Sequence, residues 1–198
     1  MKLILASQST SRRAMLDAAG VPFTAIPAAI DELSFKQAML ADDVAPRDIA
    51  DRLAELKAVR VSGAQPEALV LGSDSIVVLA DGTLLDKPES RAQAHAHLTA
   101  MSGSAIMLIS AAVIAEAGRP VWRHVATAPL HVRALSHTFL EAYLDAEWPA
   151  IAGCVGCFRI EGLGVQLFER IEGDHFTILG MPLLPVLDYC RTRGVLVA

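Results

Sequence analysis

This chain of 198 residues is short of positive charge, aromatic rings, cysteines and long apolar runs, and each shortage narrows what it can be. Lys and Arg number 17 against 22 Asp and Glu, a net charge of −5. A general nucleic-acid-binding surface is therefore not expected, because phosphate counterions are displaced by cationic excess. Three cysteines are an odd number and too few for a disulfide framework. The longest apolar stretches, such as MLISAAVIA at 107 to 115, stop well short of the roughly 20 residues of a membrane span. MKLILA at the start resembles the opening of a signal peptide, but Gln8, Arg12 and Arg13 interrupt it before an apolar core of that kind forms. A cytoplasmic protein with no membrane and no nucleic-acid partner is the expectation.

Several catalytic fingerprints are also missing. There is no G-x-x-x-x-G-K-[ST] loop, no G-x-S-x-G elbow, no H-E-x-x-H and no G-x-G-x-x-G at a strand end.

What is abundant is aliphatic: 53% of the residues are hydrophobic, with Ala, Leu and Val leading, enough to build a substantial core. No repeat, linker or low-complexity segment divides the chain, so residues 1 to 198 read as one domain. MKLILA reads as a buried strand, followed by a polar loop and a helix over RRAMLDAA that Gly20 and Pro22 end. FTAIPAAIDE reads as extended and irregular. The spacing of Ile49, Leu53, Leu56 and Val59 predicts an amphipathic helix over 46 to 61. ALVLGSDSIVVLADGTLL reads as a hairpin with a polar interruption at 73 to 75 and a turn at Asp81 and Gly82. SRAQAHAHLTAM reads as a helix, 106 to 118 and 121 to 135 as paired strands, HTFLEAYLDAEW as a helix, and PLLPVLDYCRTRG as a closing helix. A glycine-rich stretch precedes that end, with apolar alternation from Val165 to Ile171.

Two polar islands stand out. Ser7, Ser9, Ser11, Arg12 and Arg13 lie between a strand and a helix, where free backbone N–H groups and forked guanidinium donors suit phosphate oxygens; a capped helix with surface arginines is the plainer alternative. In GSDS, Asp74 interrupts apolar runs on both sides. A carboxylate in such a place needs a partner or a metal, or else caps a turn. Asp31, Glu32 and Glu161 with Lys57 and Lys87 complete a set that fits one polyphosphate site, the acids holding Mg²⁺ or Mn²⁺ and the cations neutralising phosphate.

Cys154 and Cys157 form a C-x-x-C pair without the further ligands of a zinc site, and read as small residues packed in a glycine-rich segment. His95 and His97, two apart on a predicted helix, point to different faces and do not bind a metal together. His124, His131, His137 and His175 are isolated in sequence and read as structural or exposed.

LASQSTSRRAML, the IDE at 30 to 32, LAELKA at 53 to 58, LGSDSIVVLADGTLLDKP, EGLGVQLFERIEG and ILGMPLLP resemble, in order and spacing, the Maf family of nucleotide pyrophosphatases. The resemblance covers nearly the whole chain. It implies an α/β fold with a mixed, elongated central sheet flanked by helices, of the kind found in inosine triphosphatases, with two lobes around a cleft, and often a homodimer. It also implies hydrolysis of a nucleoside triphosphate between the α and β phosphates with a divalent metal, Mg²⁺ or Mn²⁺, to remove non-standard nucleotides. By position, Asp74 would be the general base, Ser7, Ser9, Arg12 and Arg13 the phosphate grip, Glu32 a metal or water ligand, and Lys57 and Lys87 neutralising cations.

Ser11, Ser75 and Glu161 stand where members of the family choose their base. The Glu161 form followed by GLG resembles the branch linked to 7-methyl-GTP, and a carboxylate there would accept from a guanine N1–H and N2–H₂ edge. Against that pattern, Ser75 is small where the branch has a larger polar residue, and Ile106 replaces an expected histidine. A different class of function, a nucleotide-binding regulator of cell division with little or no turnover, is the alternative. Against it, an aspartate beside bound phosphates would only repel them in a pure binder.

Overall fold

A computed structural model describes residues 1 to 197. Its contacts divide them into two compact units, the first made of Met1–Ser75, Ser110–Ala126 and the segment from His175 on, the second of Ile76–Ile109 and Thr127–Asp174. Strands β3 (Ala68–Val78), β5 (Ala105–Glu116) and β6 (Arg119–Val132) begin in one unit and end in the other. The fold is mixed α/β, with a mixed sheet flanked by helices.

In the first unit β1 (Lys2–Leu5) lies between β2 (Phe23–Ala25) and β3, parallel to both, and β5 and β6 continue the sheet beyond β3. Both faces of β1 are buried, as a central parallel strand requires. Leu3 and Leu5 join a core with Met15 and Leu16 of α1 (Thr10–Ala18) and with Leu183, Val186 and Cys190 of α7 (Leu183–Thr192), while Ile4 packs with Val61 of α3 (Pro46–Ser62). β3 runs unbroken through GSDS, so the polar interruption read at 73 to 75 is part of one strand; the hairpin turn follows it and leads to β4 (Leu84–Leu85).

Two helices depart from the sequence reading. α2 (Glu32–Ala41) begins on the last residue of the stretch read as irregular and runs on through residues for which the sequence suggested no element. Asp31 caps it, accepting from Ser34 N at 3.1 Å, and its apolar residues face the wrong way for a periodicity argument: Leu33 and Leu40 are exposed while Lys36 is buried. The buried face of α3 is rotated from the one expected, running Ile49, Leu53, Lys57 and Val61, with Leu56 and Val59 only half-buried. A short helix α6 (His175–Ile178) precedes α7, which is the closing helix expected, with Pro182 at its N-terminal cap.

The second unit carries β4, α4 (Arg91–Met101), α5 (His137–Glu147) and β7 (Phe168–Ile171). Ser90 and Ser136 cap α4 and α5 by accepting from Gln93 N and Phe139 N, and the two helices pack on each other. A 3₁₀ turn at Ala150–Gly153 leads into the glycine-rich stretch, which forms a second one at Leu163–Leu167, and the four residues Phe168–Ile171 form β7, antiparallel to β6.

Candidate active site

The site in the first unit starts from a close approach. A Cβ on Gly72 would lie 2.1 Å from the Ala54 carbonyl oxygen and 2.7 Å from Ala58 N, so only glycine lets α3 sit this near β3. That proximity brings Lys57 of α3 onto Asp74 of β3, two residues past Gly72. Lys57 Nζ lies 2.6 Å from Asp74 Oδ1, with the side chains 7% and 9% exposed, and 2.9 Å from Glu32 Oε2 at the start of α2. Three elements thus deliver one ammonium and two carboxyls to a common point. Lys36, one turn after Glu32, is buried as well.

The hydroxyl loop after β1 leads into α1. Ser9 caps that helix, accepting from Arg12 N at 3.4 Å, and also touches Ser11 Oγ at 3.0 Å, while Ser9 N donates to Ser7 Oγ at 3.1 Å. Arg12 is buried. Its Nε donates to the Gly180 carbonyl at 2.8 Å, and its terminal nitrogens reach Ser75 Oγ at 3.0 Å and Ser7 Oγ at 3.5 Å. Burial pulls the Arg12 guanidinium below its ordinary range, and the charges of Asp74 and Glu32 push it back up, which ties this loop electrostatically to the Lys57 cluster. Arg13 Nη2 reaches the Ser7 carbonyl at 3.5 Å, but its Nε is buried without a hydrogen-bond partner.

Gly180 holds a φ of +108°, a conformation that side chains resist. Its carbonyl also accepts from Ser73 Oγ at 3.1 Å and lies 3.1 Å from Ser75 Oγ. Ser75 in turn meets Ser110 Oγ at 2.8 Å, and Ser110 donates to the Thr177 carbonyl at 2.8 Å. Of these residues the sequence reading singled out only Ser75. Ser110 had a signal, as the one polar residue in MLISAAVIA, and Gly180 lay in the ILGMPLLP motif.

Ser7, Ser9, Ser11, Arg12, Arg13, Glu32, Lys57, Asp74 and Ser75 therefore all belong to the first unit. Lys87 and Glu161 belong to the second, both exposed. There burial pushes the Cys154 thiol up, the Glu161 charge adds to the rise, and Arg159 and Lys87 oppose it. Cys157 is buried, its thiol pushed up to about 12 mainly by burial, so neither cysteine is poised as a thiolate. His97 contacts Cys157 Sγ at 3.6 Å, and Tyr143 Oη donates to the Cys157 carbonyl at 3.0 Å. His97 contacts Cys157, whereas His95 and His137 meet Glu141, a grouping with no sign in the sequence. No helix among the described residues is long and apolar enough to cross a membrane.

The family model described as Maf-like protein matches residues 2–193. A nucleoside triphosphate pyrophosphatase of Sphingopyxis alaskensis is 47% identical over 98% of both chains. One of Ruegeria pomeroyi is 50% identical over 98% of this chain and 97% of its own. The solved structure of a HAM1 protein from Coxiella burnetii aligns with 67% of this chain and 73% of its own at a TM-score of 0.43 and 15% identity, too distant a likeness to carry function.

Proposed function

We infer, from the premise that this chain belongs to the Maf family, that it is an enzyme, a nucleoside triphosphate pyrophosphatase. The reading rests most on one observation: a buried ammonium held by two carboxyls, Asp74 and Glu32, that come from different elements. Such an arrangement is costly to bury and contributes little to stability over a well-packed apolar core, so a chemical task is the simpler reason for it.

In our reading water attacks the α phosphorus and pyrophosphate leaves. Asp74 takes the proton of that water. Lys57 occupies Oδ1, which leaves Oδ2 for this role, and the ammonium keeps the carboxyl oriented. Ser7, Ser9 and Arg13 bind phosphate oxygens. Arg13 Nε supports this assignment, since a buried donor without an acceptor is unfavourable until an anion supplies one. Arg12 is committed to Gly180 and Ser75, and we assign it to shaping the loop and contributing charge.

The donor set fits a hard divalent cation, because Mg²⁺ or Mn²⁺ prefers oxygen ligands and Glu32 and Asp74 bring two carboxyls together, which the ion would share with the Lys57 ammonium. Glu32 and Asp74 would hold it, and when bound it neutralises charge on the triphosphate. We assign base choice to Ser11, Ser75 and Glu161, neutralisation to Lys87 alongside Lys57, and a house-cleaning role on modified or non-standard triphosphates.

The test is pyrophosphate release by the wild type and Asp74→Asn across the common triphosphates and 7-methyl-GTP, with Mg²⁺ or Mn²⁺ and with chelator. Asp74→Asn should lose about 10²–10⁴-fold in rate while its circular dichroism stays unchanged. Glu161→Gln should change the order of preferred bases. If the wild type binds a nucleotide but releases no pyrophosphate, a regulator without turnover replaces this reading.

A further inference from the structure

The helix pair of the second unit carries ligand-type side chains that the proposed reaction does not use. α4 contributes His95, and α5 contributes His137 and, one turn on, Glu141. One nitrogen from each ring and one carboxyl oxygen all lie within 4.8 Å of one another, with the ring centroids 6.0 Å apart. His137 and Glu141 share a face by helical spacing, and the packing of α4 on α5 supplies the third group.

The hydrogen bonds around the group show how its atoms are prepared. Glu141 divides its oxygens: Oε2 accepts from Arg91 at 2.9 Å, and Oε1 lies 3.4 Å from His95 Nε2. Arg91 also holds Asp145 at 2.6 Å. His95 Nδ1 lies 3.4 Å from Thr99 Oγ1, and the Thr99 hydroxyl gives its own proton to the His95 carbonyl at 2.8 Å. A hydroxyl whose proton is committed can only accept, so in the neutral ring Nδ1 carries the proton and Nε2 is left as an acceptor. In that tautomer two acceptors, Nε2 and Oε1, face each other 3.4 Å apart, a gap that either a proton on the ring or a bound cation fills.

One separation already suits a metal ion: with bonds of about 2.1 Å in a tetrahedral site, neighbouring donor atoms stand about 3.4 Å apart, the distance between His95 Nε2 and Glu141 Oε1, and the His137 nitrogen lies within 4.8 Å of both. Two imidazoles and a carboxylate are also the donor set that zinc accepts and magnesium avoids.

We propose that His95 Nε2, a ring nitrogen of His137 and Glu141 Oε1 form a zinc-class divalent metal site that staples α4 to α5, with water as the fourth ligand. Thr99 fixes the His95 tautomer, and Arg91 turns the Glu141 carboxyl by holding its other oxygen, the two outer contacts that such sites depend on. This site is independent of Asp74 and of turnover.

The experiment is a Zn²⁺ titration against a chromophoric chelator, with excess Mg²⁺ present throughout, on the whole chain. The wild type should take up one Zn²⁺ per chain. His137→Ala should bind at least a hundredfold more weakly, Glu141→Gln should do the same from the other ligand type, and Thr99→Val should bind about tenfold more weakly. Asp74→Asn and the double variant Cys154→Ser, Cys157→Ser should bind as the wild type does. A hundredfold excess over Kd should raise the wild-type Tm by roughly 5–10 °C and leave that of His137→Ala unmoved. Equal affinity in the wild type and in folded His137→Ala and Glu141→Gln would overturn the proposal. So would loss of binding in Asp74→Asn or in the cysteine variant.

Discussion

Two ion pairs of the same length, one in each unit, differ in everything else. Lys57 and Asp74 meet at 2.6 Å with side chains 7% and 9% exposed; Arg91 and Asp145 also meet at 2.6 Å, with side chains 37% and 75% exposed. Distance alone says nothing about what a pair contributes. In water the attraction is screened and holding two long side chains still is unfavourable, whereas a buried pair has given up its hydration and cannot lose one member without stranding the other.

That contrast can be broken hardest at Gly72. Gly72→Ala places a methyl against the Ala54 carbonyl and should push α3 off β3, costing upward of about 4 kcal/mol or preventing folding, as chemical denaturation would register. Lys57→Met tests the buried pair directly. It should cost about 3 kcal/mol, because Asp74 and Glu32 lose the ammonium between them, and should abolish pyrophosphate release. Gly180→Ala should be milder, about 1–3 kcal/mol, from forcing a side chain to a φ of +108°.

Titration sharpens the same lesson for a neutral group. Burial raises the Cys157 thiol from 9.0 to about 12, so its contribution is fully present below pH 9, where the thiol is neutral in both folded and unfolded chains. As pH rises from about 9 to about 12 the unfolded chain ionises first and the contribution is lost; Cys157→Ala should lessen that alkaline fall in stability. Smallest of all, Arg91→Met should leave the Tm unchanged within error when Zn²⁺ is absent, despite the short distances to Glu141 and Asp145.

The sequence disclosed the buried site better than the exposed one, for physical reasons. Asp74 was legible because a charge set within aliphatic runs needs explaining, and the serine and arginine loop because it lies between a strand and a helix; Lys57, alone an ordinary helix charge, was legible only as part of the set of acids and cations and by the resemblance. The rotation of α3 was not legible, since Leu56 and Val59 fit the helical period as well as Lys57 and Val61 do. Only the Gly72 contact, made across a long sequence separation, selects the face. α2 escaped notice because it buries Lys36 and exposes Leu33, the reverse of the pattern by which surface helices are found. His95, His137 and Glu141 were invisible as a set, because each alone is an ordinary helix residue and only the packing of α4 on α5 brings them together.

The Gly180 carbonyl carries one more implication, for synthesis rather than for chemistry. Arg12 leaves the ribosome long before its acceptor, the Gly180 carbonyl, which lies 168 residues further along the chain. Until then Arg12 and Ser73 lack the one carbonyl oxygen that joins them in the fold, although the stretch from Ile76 to Ile109 has long been made. During translation the serine and arginine loop therefore waits for Gly180, and a ribosome-bound chain stalled before that residue should be inert toward triphosphates.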